Sequence, residues 1–98
     1  MIDGEALLQR MGDGEALLGV WTTYPAPGIV ERVAADWDMV WVDCQHGQFG
    51  YNDAINHIRA AASIGVATAL RPPTHDAGLL GAYADMGSQV VMVPMAPL

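Results

Sequence analysis

Basic residues are scarce in this chain. Four Lys or Arg side chains stand against eleven Asp or Glu, which gives a formal net charge of −7. Nucleic acid and anionic membrane surfaces are themselves negatively charged, so this balance argues against both as partners. Cysteine occurs once, as Cys44. The chain therefore cannot form an internal disulfide, and a reducing compartment suits it.

Long apolar runs are also missing. The N-terminus has no basic segment followed by an apolar run, so no signal peptide is predicted. The uncharged run over residues 60–70 is too short to span a bilayer. About half of the residues, 52%, are nevertheless hydrophobic, and 98 residues are enough for one small core. We therefore predict a soluble, globular, cytoplasmic protein.

Several motifs of well-known sites are absent from the sequence. No Gly-x-Gly-x-x-Gly follows a predicted strand and there is no Walker-type loop, which argues against nucleotide binding. His-Glu-x-x-His and paired cysteines are missing, so a zinc site is unsupported. A Gly-x-Ser-x-Gly elbow is missing too. These absences leave the ends of the predicted strands as the places to look for chemistry.

The pattern of apolar residues predicts an α/β fold. Strands are expected at residues 17–22, 39–42, 66–70 and 89–93, with helices between them and a lead-in helical segment over 1–16. Strands that alternate with helices are typical of right-handed βαβ units and a parallel sheet. Two architectures fit, a flavodoxin-like open sheet and part of a (β/α)₈ barrel. Four strands are fewer than either needs, so we expect a fragment or a chain that a partner completes.

Two of the predicted helices carry capping signals. Asn52 or Asp53 is expected to cap the first, which Gly65 ends, and His75 or Asp76 to cap the second. His57 is predicted to lie on the surface of the first helix. The apolar face of that helix is expected to comprise Ile55, Ile58 and Ala62.

The stretch 39–47 is the strongest candidate for a functional site. It begins with apolar residues typical of a buried strand and ends in Asp43, Cys44, Gln45 and His46. Polar groups at the carboxyl end of a parallel strand are what α/β enzymes use. His46 is either a general base near neutral pH or a histidine hydrogen-bonded in a loop. Cys44 has no neighbouring base, so it is predicted to pack and not to react.

Two charged residues later in the chain are further candidates. Arg71 ends the third predicted strand, where it could hold a carboxylate or stabilise an enolate oxygen, or pair with Asp43. Asp85 lies in the last turn of the following helix, where a carboxylate opposes the helix dipole. It either pairs with His46 and fixes its tautomer, or is a solvated acid. The three tryptophans are expected to pack in the core or at its rim.

Four sequence blocks, in this order and spacing, resemble the N-terminal part of the HpcH/HpaI aldolase family, the class II pyruvate aldolases. The blocks are residues 19–21, 38–47, 70–72 and 89–95. The resemblance covers nearly the whole chain, from about residue 18 to 95. It implies that residues 1–98 are the N-terminal part of a (β/α)₈ barrel.

The resemblance also implies an activity. Family members cleave 2-keto-4-hydroxy acids to pyruvate and an aldehyde with Mg²⁺ or Mn²⁺, and they are often oligomers. It implies that His46 is the base, that Asp85 is the acid paired with it, and that Arg71 contacts the pyruvate carboxylate or enolate oxygen. The metal-binding carboxylates of the family lie on later strands, so no metal ligand is expected in this chain. We therefore expect little or no aldolase activity from the isolated 98 residues.

Two other readings stay open. One is a non-catalytic half-barrel that self-associates through an unpaired strand edge and apolar faces. The other is a complete small open-sheet binding domain. The repeat Asp-Gly-Glu-Ala-Leu-Leu, at residues 3–8 and 13–18, is assigned no function.

Overall fold

A computed structural model describes residues 4–94 as a parallel α/β structure. Its strands are β1 (Gly19–Thr22), β2 (Met39–Asp43), β3 (Ala67–Arg71) and β4 (Val90–Val91). Its helices are α1 (Gly4–Gly12), α2 (Pro27–Val33), α3 (Tyr51–Ser63) and α4 (Ala77–Ala84), with a 3₁₀ turn at Ala34–Asp36. The predicted α/β class with four parallel strands is confirmed.

The four strands form one sheet in the order β1-β2-β3-β4. Each strand is parallel to the next, and all three connections pass through a helix. A flavodoxin-like sheet would break this sequential order, because its second strand lies outside the first. The sequential order is that of a (β/α)₈ barrel, of which the described residues form four strands.

The boundaries of all four strands differ from the predicted ones. β2 and β3 each extend one residue further, to Asp43 and Arg71, which are partners in the register. The Cys44 N–H donates to the Arg71 carbonyl over 2.9 Å and continues the ladder past Asp43. β1 begins only at Gly19, and β4 is confined to Val90–Val91.

The core lies between the sheet and the helices on one of its faces. Val40, Val42 and Leu70 are fully buried there. Helices α2 and α3 and the 3₁₀ turn after α2 complete this core with small and branched side chains, which are Val30, Ala34, Ala54, Ile58, Ala60 and Ala61. The other face is less covered, since Trp21 is 50% exposed and Val90 is 36% exposed. Within residues 4–94, no helix is long and apolar enough to cross a bilayer.

The beginning of α3 differs from the prediction. Its N-cap is Gly50, not Asn52 or Asp53. Asp53 lies in the first turn, where its Oδ2 accepts a hydrogen bond of 2.9 Å from the Gly50 N–H. The carboxylate thus gives a hydrogen-bond acceptor to the backbone N–H of the N-cap residue. Ala62 is exposed, so the buried face of the helix is shifted to Ala54, His57, Ile58, Ala60 and Ala61.

The C-terminal signal of α3 and the cap of α4 agree better with the prediction. Gly65 follows α3 with a φ of +74°, which a residue with a side chain rarely adopts. Of the two cap candidates for α4, His75 and Asp76, the structure has Asp76 as the N-cap. Its Oδ1 accepts a hydrogen bond of 3.1 Å from the Leu79 N–H.

His57 is fully buried, so its predicted surface position is wrong. The helical spacing of Ala54, His57, Ile58 and Ala61 places it on the buried face of α3. Its Nε2 accepts a 2.7 Å hydrogen bond from the Ala26 N–H, and Phe49 contacts the ring edge-on at 4.6 Å between centroids. An accepting Nε2 requires a neutral ring. Burial lowers the pKa of His57, and the charge of Asp53 opposes that only in part.

Helix α1 lies at the amino ends of the strands. Arg10 donates to Asp38, just before β2, over 2.7 Å, and Asp38 also accepts 2.8 Å from the Leu18 N–H. The same helix reaches the β4 edge of the sheet. A Cβ atom at Gly4 would lie 3.5 Å from the carbonyl oxygen of Gln89, just before β4. Residues 1–3 of the predicted lead-in segment lie outside the described residues.

The burial of His57 predicts a pH dependence of folding. Its folded pKa lies below its ordinary value of 6.5, so the unfolded chain takes up a proton more readily. The stabilising neutral state is therefore fully present above pH 6.5 and is lost as the pH falls. We expect urea midpoints that decrease between pH 7.5 and 5.5. H57Q should flatten this dependence while H75Q, at an exposed position, keeps it; equal slopes in both variants would contradict the assignment.

Candidate functional site

An ion pair joins the carboxyl ends of β2 and β3. Arg71 Nε donates to Asp43 Oδ1 over 3.1 Å, and Nη2 donates to Oδ2 over 2.6 Å. Asp43 is 1% exposed, and the Arg71 side chain is 17% exposed. Of the two roles that the sequence left open for Arg71, pairing with Asp43 is therefore present. A bidentate pair of this kind fixes the plane of the guanidinium group.

Asp43 accepts three further hydrogen bonds. The backbone N–H groups of Gln45 and His46 each donate to Oδ1 over 3.0 Å. The indole N–H of Trp21 donates to Oδ2 over 3.2 Å. Burial by itself raises the pKa of Asp43, but the bonds from Arg71 and from the two backbone groups outweigh it and hold the pKa at about 2. Asp43 is therefore ionised at neutral pH.

The loop after β2 is shaped by these bonds and by a close approach at Gly47. The Gly47 N–H donates to the Asp43 carbonyl over 3.1 Å, and Gln48 donates to the Thr23 carbonyl over 2.6 Å. A Cβ on Gly47 would overlap the Asp43 carbonyl oxygen and would lie 2.9 Å from the Thr23 carbonyl oxygen. Only glycine fits there without a backbone shift. The loop thus presents His46 at a defined position, with an exposed side chain.

The structure does not bring all three predicted site residues into contact. Arg71 and the backbone of His46 share Asp43 as a partner. Asp85 is the exposed C-cap of α4, and its N–H donates to the Gly81 carbonyl over 3.2 Å. Among residues 4–94 no hydrogen bond or ion pair connects the side chains of His46 and Asp85. Their pairing stays a prediction.

Cys44 lies beside this cluster and is buried. Burial, together with the charges of Asp43 and Asp53, raises the pKa of its thiol to about 12. A thiol of this kind is not a nucleophile at neutral pH. The interpretation of Cys44 as a packing residue fits this environment.

Trp21 is the member of the cluster that the sequence reasoning missed. Its ring stacks on that of Trp41, with centroids 4.9 Å apart and planes 4° from parallel. The Arg71 guanidinium carbon lies 5.2 Å from the centre of the Trp21 ring. No local sequence signal marks it, because the contact depends on the register of β1 against β2. That register places Trp21 beside Trp41, and Asp43 follows Trp41 by two residues on the same face of the sheet.

The described residues do not fit a divalent metal ion. Within residues 4–94, no three His, Cys, Asp or Glu side chains lie together as a ligand set. In the described part of the chain, Asp43 is the one buried carboxylate at this end of the sheet, and five donors already occupy its two oxygens. A metal there would have to displace the Arg71 guanidinium.

A cavity of about 200 Å³ lies on the other side of the sheet, between β1 and α2. Apolar residues such as Val20, Ile29 and Val33 line most of it, together with His57. Because the Nε2 of His57 already accepts from Ala26, this cavity offers little chemistry.

The sheet order and the polar cluster at its carboxyl ends define part of a (β/α)₈ barrel. No family model matches the chain. It is 30% identical over 86 residues to the hydroxypyruvate/pyruvate aldolase of Deinococcus radiodurans. The aligned residues make up 87% of this chain and 31% of that protein. The chain thus spans about a third of the length of the curated relatives that it matches.

Solved structures give the same result. An HpcH/HpaI aldolase/citrate lyase family protein from Burkholderia cenocepacia superposes with a TM-score of 0.81 at 26% identity, over 93% of this chain and 37% of that one. Macrophomate synthase superposes with a TM-score of 0.80 at 28% identity, over 97% of this chain and 33% of that one. The resemblance to the HpcH/HpaI aldolase family is confirmed, and the matched part fits the N-terminal part of those proteins.

Gly47→Ala tests the close approach in the loop. We expect it to destabilise the fold by about 2 kcal/mol, because the new methyl group would overlap two backbone oxygens. Gly81→Ala is the matched control, since nothing lies within 4 Å of its Cβ position in α4. It should stabilise the fold by about 0.5–1 kcal/mol. Thermal unfolding checks both, and an unchanged Tm for Gly47→Ala would contradict the loop geometry.

Asp43→Asn tests the ion pair. The variant leaves the Arg71 charge without its partner in a largely buried place, and we expect a loss of about 2–3 kcal/mol in the free energy of unfolding. Asp36→Asn, at an exposed position in the 3₁₀ turn, should stay within about 0.5 kcal/mol of the parent. Urea denaturation measures both. If Asp43→Asn lost as little free energy of unfolding as is expected of Asp36→Asn, the ion pair would not support the fold.

Proposed function

We propose that this chain carries part of the active site of an aldolase that cleaves 2-keto-4-hydroxy acids to pyruvate and an aldehyde through a pyruvate enolate. The observation that carries the proposal is the oriented Arg71 guanidinium at the carboxyl ends of parallel strands, where (β/α)₈ barrels bind their substrates. The names of the relatives, hydroxypyruvate/pyruvate aldolase and pyruvate aldolase, support the same class of reaction.

Arg71 is proposed to hold the carboxylate or the enolate oxygen of the keto acid. A guanidinium group has five N–H donors, and Asp43 accepts from Nε and Nη2 only. Within residues 4–94 the two N–H groups of Nη1 have no hydrogen-bond partner, and they are proposed to bind the ligand. Asp43 fixes the group, so little side-chain entropy is left to lose when an anion binds.

His46 is proposed to move the proton to and from the hydroxyl group at the carbon that becomes the aldehyde. A neutral imidazole accepts a proton near neutral pH. Asp43 fixes the backbone of His46, and the exposed ring is accessible to a ligand. Asp85 is proposed to orient the ring and to stabilise its protonated form, as the family resemblance implies.

A lysine Schiff base is not available from these residues. The four basic side chains are Arg10, Arg32, Arg59 and Arg71, so the 98 residues contain no lysine. An enolate formed here has to be stabilised by charge and hydrogen bonds. The family resemblance implies Mg²⁺ or Mn²⁺ for this task. The described residues do not supply its ligands, so we propose that the metal binds to carboxylates outside them.

A second candidate is a half-barrel that associates with copies of itself. Its support is the less covered face of the sheet, where Trp21 is 50% exposed and Val90 is 36% exposed. Apolar groups left in water favour association. Sedimentation would give the mass, and a stable monomer over a wide concentration range would contradict a homo-oligomer.

With one cysteine and a net charge of −7, the cytoplasm is the proposed location, without nucleic acid or membranes as partners.

Pyruvate binding tests the role of Arg71. We expect saturation-transfer NMR of the full 98-residue chain to show weak binding, and Arg71→Lys to weaken it about tenfold, because lysine loses the planar donor edge. Arg59→Lys, at an exposed position on α3, is the matched control and should bind like the parent. Binding that is absent, or that is equal in both variants, would overturn the assignment.

Deuterium exchange at the pyruvate methyl group tests what the chain does alone. In D₂O with Mg²⁺ we expect exchange to remain at the buffer level, because residues 4–94 present no metal ligand set. Exchange that requires Mg²⁺ and is lost in H46A, but not in H75A, would contradict that expectation. It would show that the chain, alone or with a second copy, assembles a working site.

A further inference from the structure

Trp21 contacts both members of the ion pair. Its indole N–H donates to Asp43 Oδ2 over 3.2 Å, and its ring lies 5.2 Å from the Arg71 guanidinium carbon. The stack on Trp41, its partner in the register, holds the plane of the ring. A half-exposed tryptophan usually keeps some side-chain freedom, but contacts with Asp43, Trp41 and Arg71 constrain this one.

We propose that Trp21 is a positioning residue that holds the Asp43–Arg71 pair in the orientation in which Nε and Nη2 face Asp43, while Nη1 has no hydrogen-bond partner among residues 4–94. The ring attracts the guanidinium through its face, and the indole N–H holds the carboxylate that binds it. The orientation of the pair follows from the geometry alone. The use of Nη1 for a keto acid rests on the function proposed above.

The distribution of donors on Asp43 shows why this contact matters. Oδ1 accepts from Arg71 and from two backbone N–H groups, so it is held by three donors. Among the residues that the structure describes, Oδ2 accepts only from Arg71 and Trp21. Without the indole N–H, the position of Oδ2 would depend on the same guanidinium group that it is meant to orient.

A purely structural role for Trp21 as a packing residue makes a different prediction. In that case any aromatic ring that preserves the stack would serve equally well. Trp21→Phe keeps a ring against Trp41 but removes the N–H donor. Trp41→Phe alters the same stack from the other side and leaves the indole N–H of Trp21 in place, so it is the matched control.

The first readout is the Asp43 carboxylate itself, followed by ¹³C NMR during an acid titration of the full chain. Trp21→Phe should shift its midpoint upward, since the ionised form loses a donor, and should broaden or shift the Arg71 Nε–H signal. Trp41→Phe should leave both close to the parent. Equal behaviour of the two variants would overturn the proposal. Thermal unfolding shows whether each variant is folded. If Trp21→Phe is unstable, Trp21→His is the substitute, because it keeps a ring N–H; its Asp43 midpoint should stay closer to that of the parent.

The second readout is the affinity for pyruvate. We expect Trp21→Phe to weaken binding about threefold to tenfold and Trp41→Phe to leave it nearly unchanged. If the parent does not bind pyruvate, the proposed function fails while the titration still decides the role of Trp21. If pyruvate binds and Trp21→Phe has no effect in either measurement, the positioning role fails and the proposed function stands.

Discussion

The bidentate pair between Asp43 and Arg71 is the interaction on which the rest of this site depends. It joins β2 to β3 at the last residue of each strand and aligns their register there. The same carboxylate accepts from the backbone of His46, so one side chain orients both proposed functional residues. The site is therefore organised around an acid that itself touches no substrate in the proposed reaction.

Burying an ionised carboxylate is costly, and it is tolerated only where hydrogen bonds replace water. Five donors do so at Asp43, and the pKa of about 2 is the result. This saturation has a chemical consequence. An acid with no free oxygen lone pair in a favourable direction is a poor metal ligand, so Asp43 orients Arg71 and is not available to bind a metal cation.

The described residues form a sheet with one well-packed face and one less covered face. Helices α2 and α3 bury Val40, Val42 and Leu70, while Trp21 and Val90 remain partly exposed on the other side. The similar proteins are about three times as long as this chain. In a (β/α)₈ barrel the inner face is covered by the opposite strands, so the same exposed residues fit both a barrel interior and an association surface.

The sequence by itself determined the α/β class, the order of the elements and the strand ends that carry Asp43, His46 and Arg71, because apolar periodicity and the Gly and Pro breaks are local signals. It misplaced His57, whose burial depends on the small alanines around it in α3 and on an acceptor needed by Ala26. Only the tertiary structure showed that Arg71 pairs with Asp43, and only it revealed the contacts of Trp21 with that pair. Both depend on the register between strands, which brings together residues about twenty to thirty positions apart, and no single stretch of sequence encodes that contact.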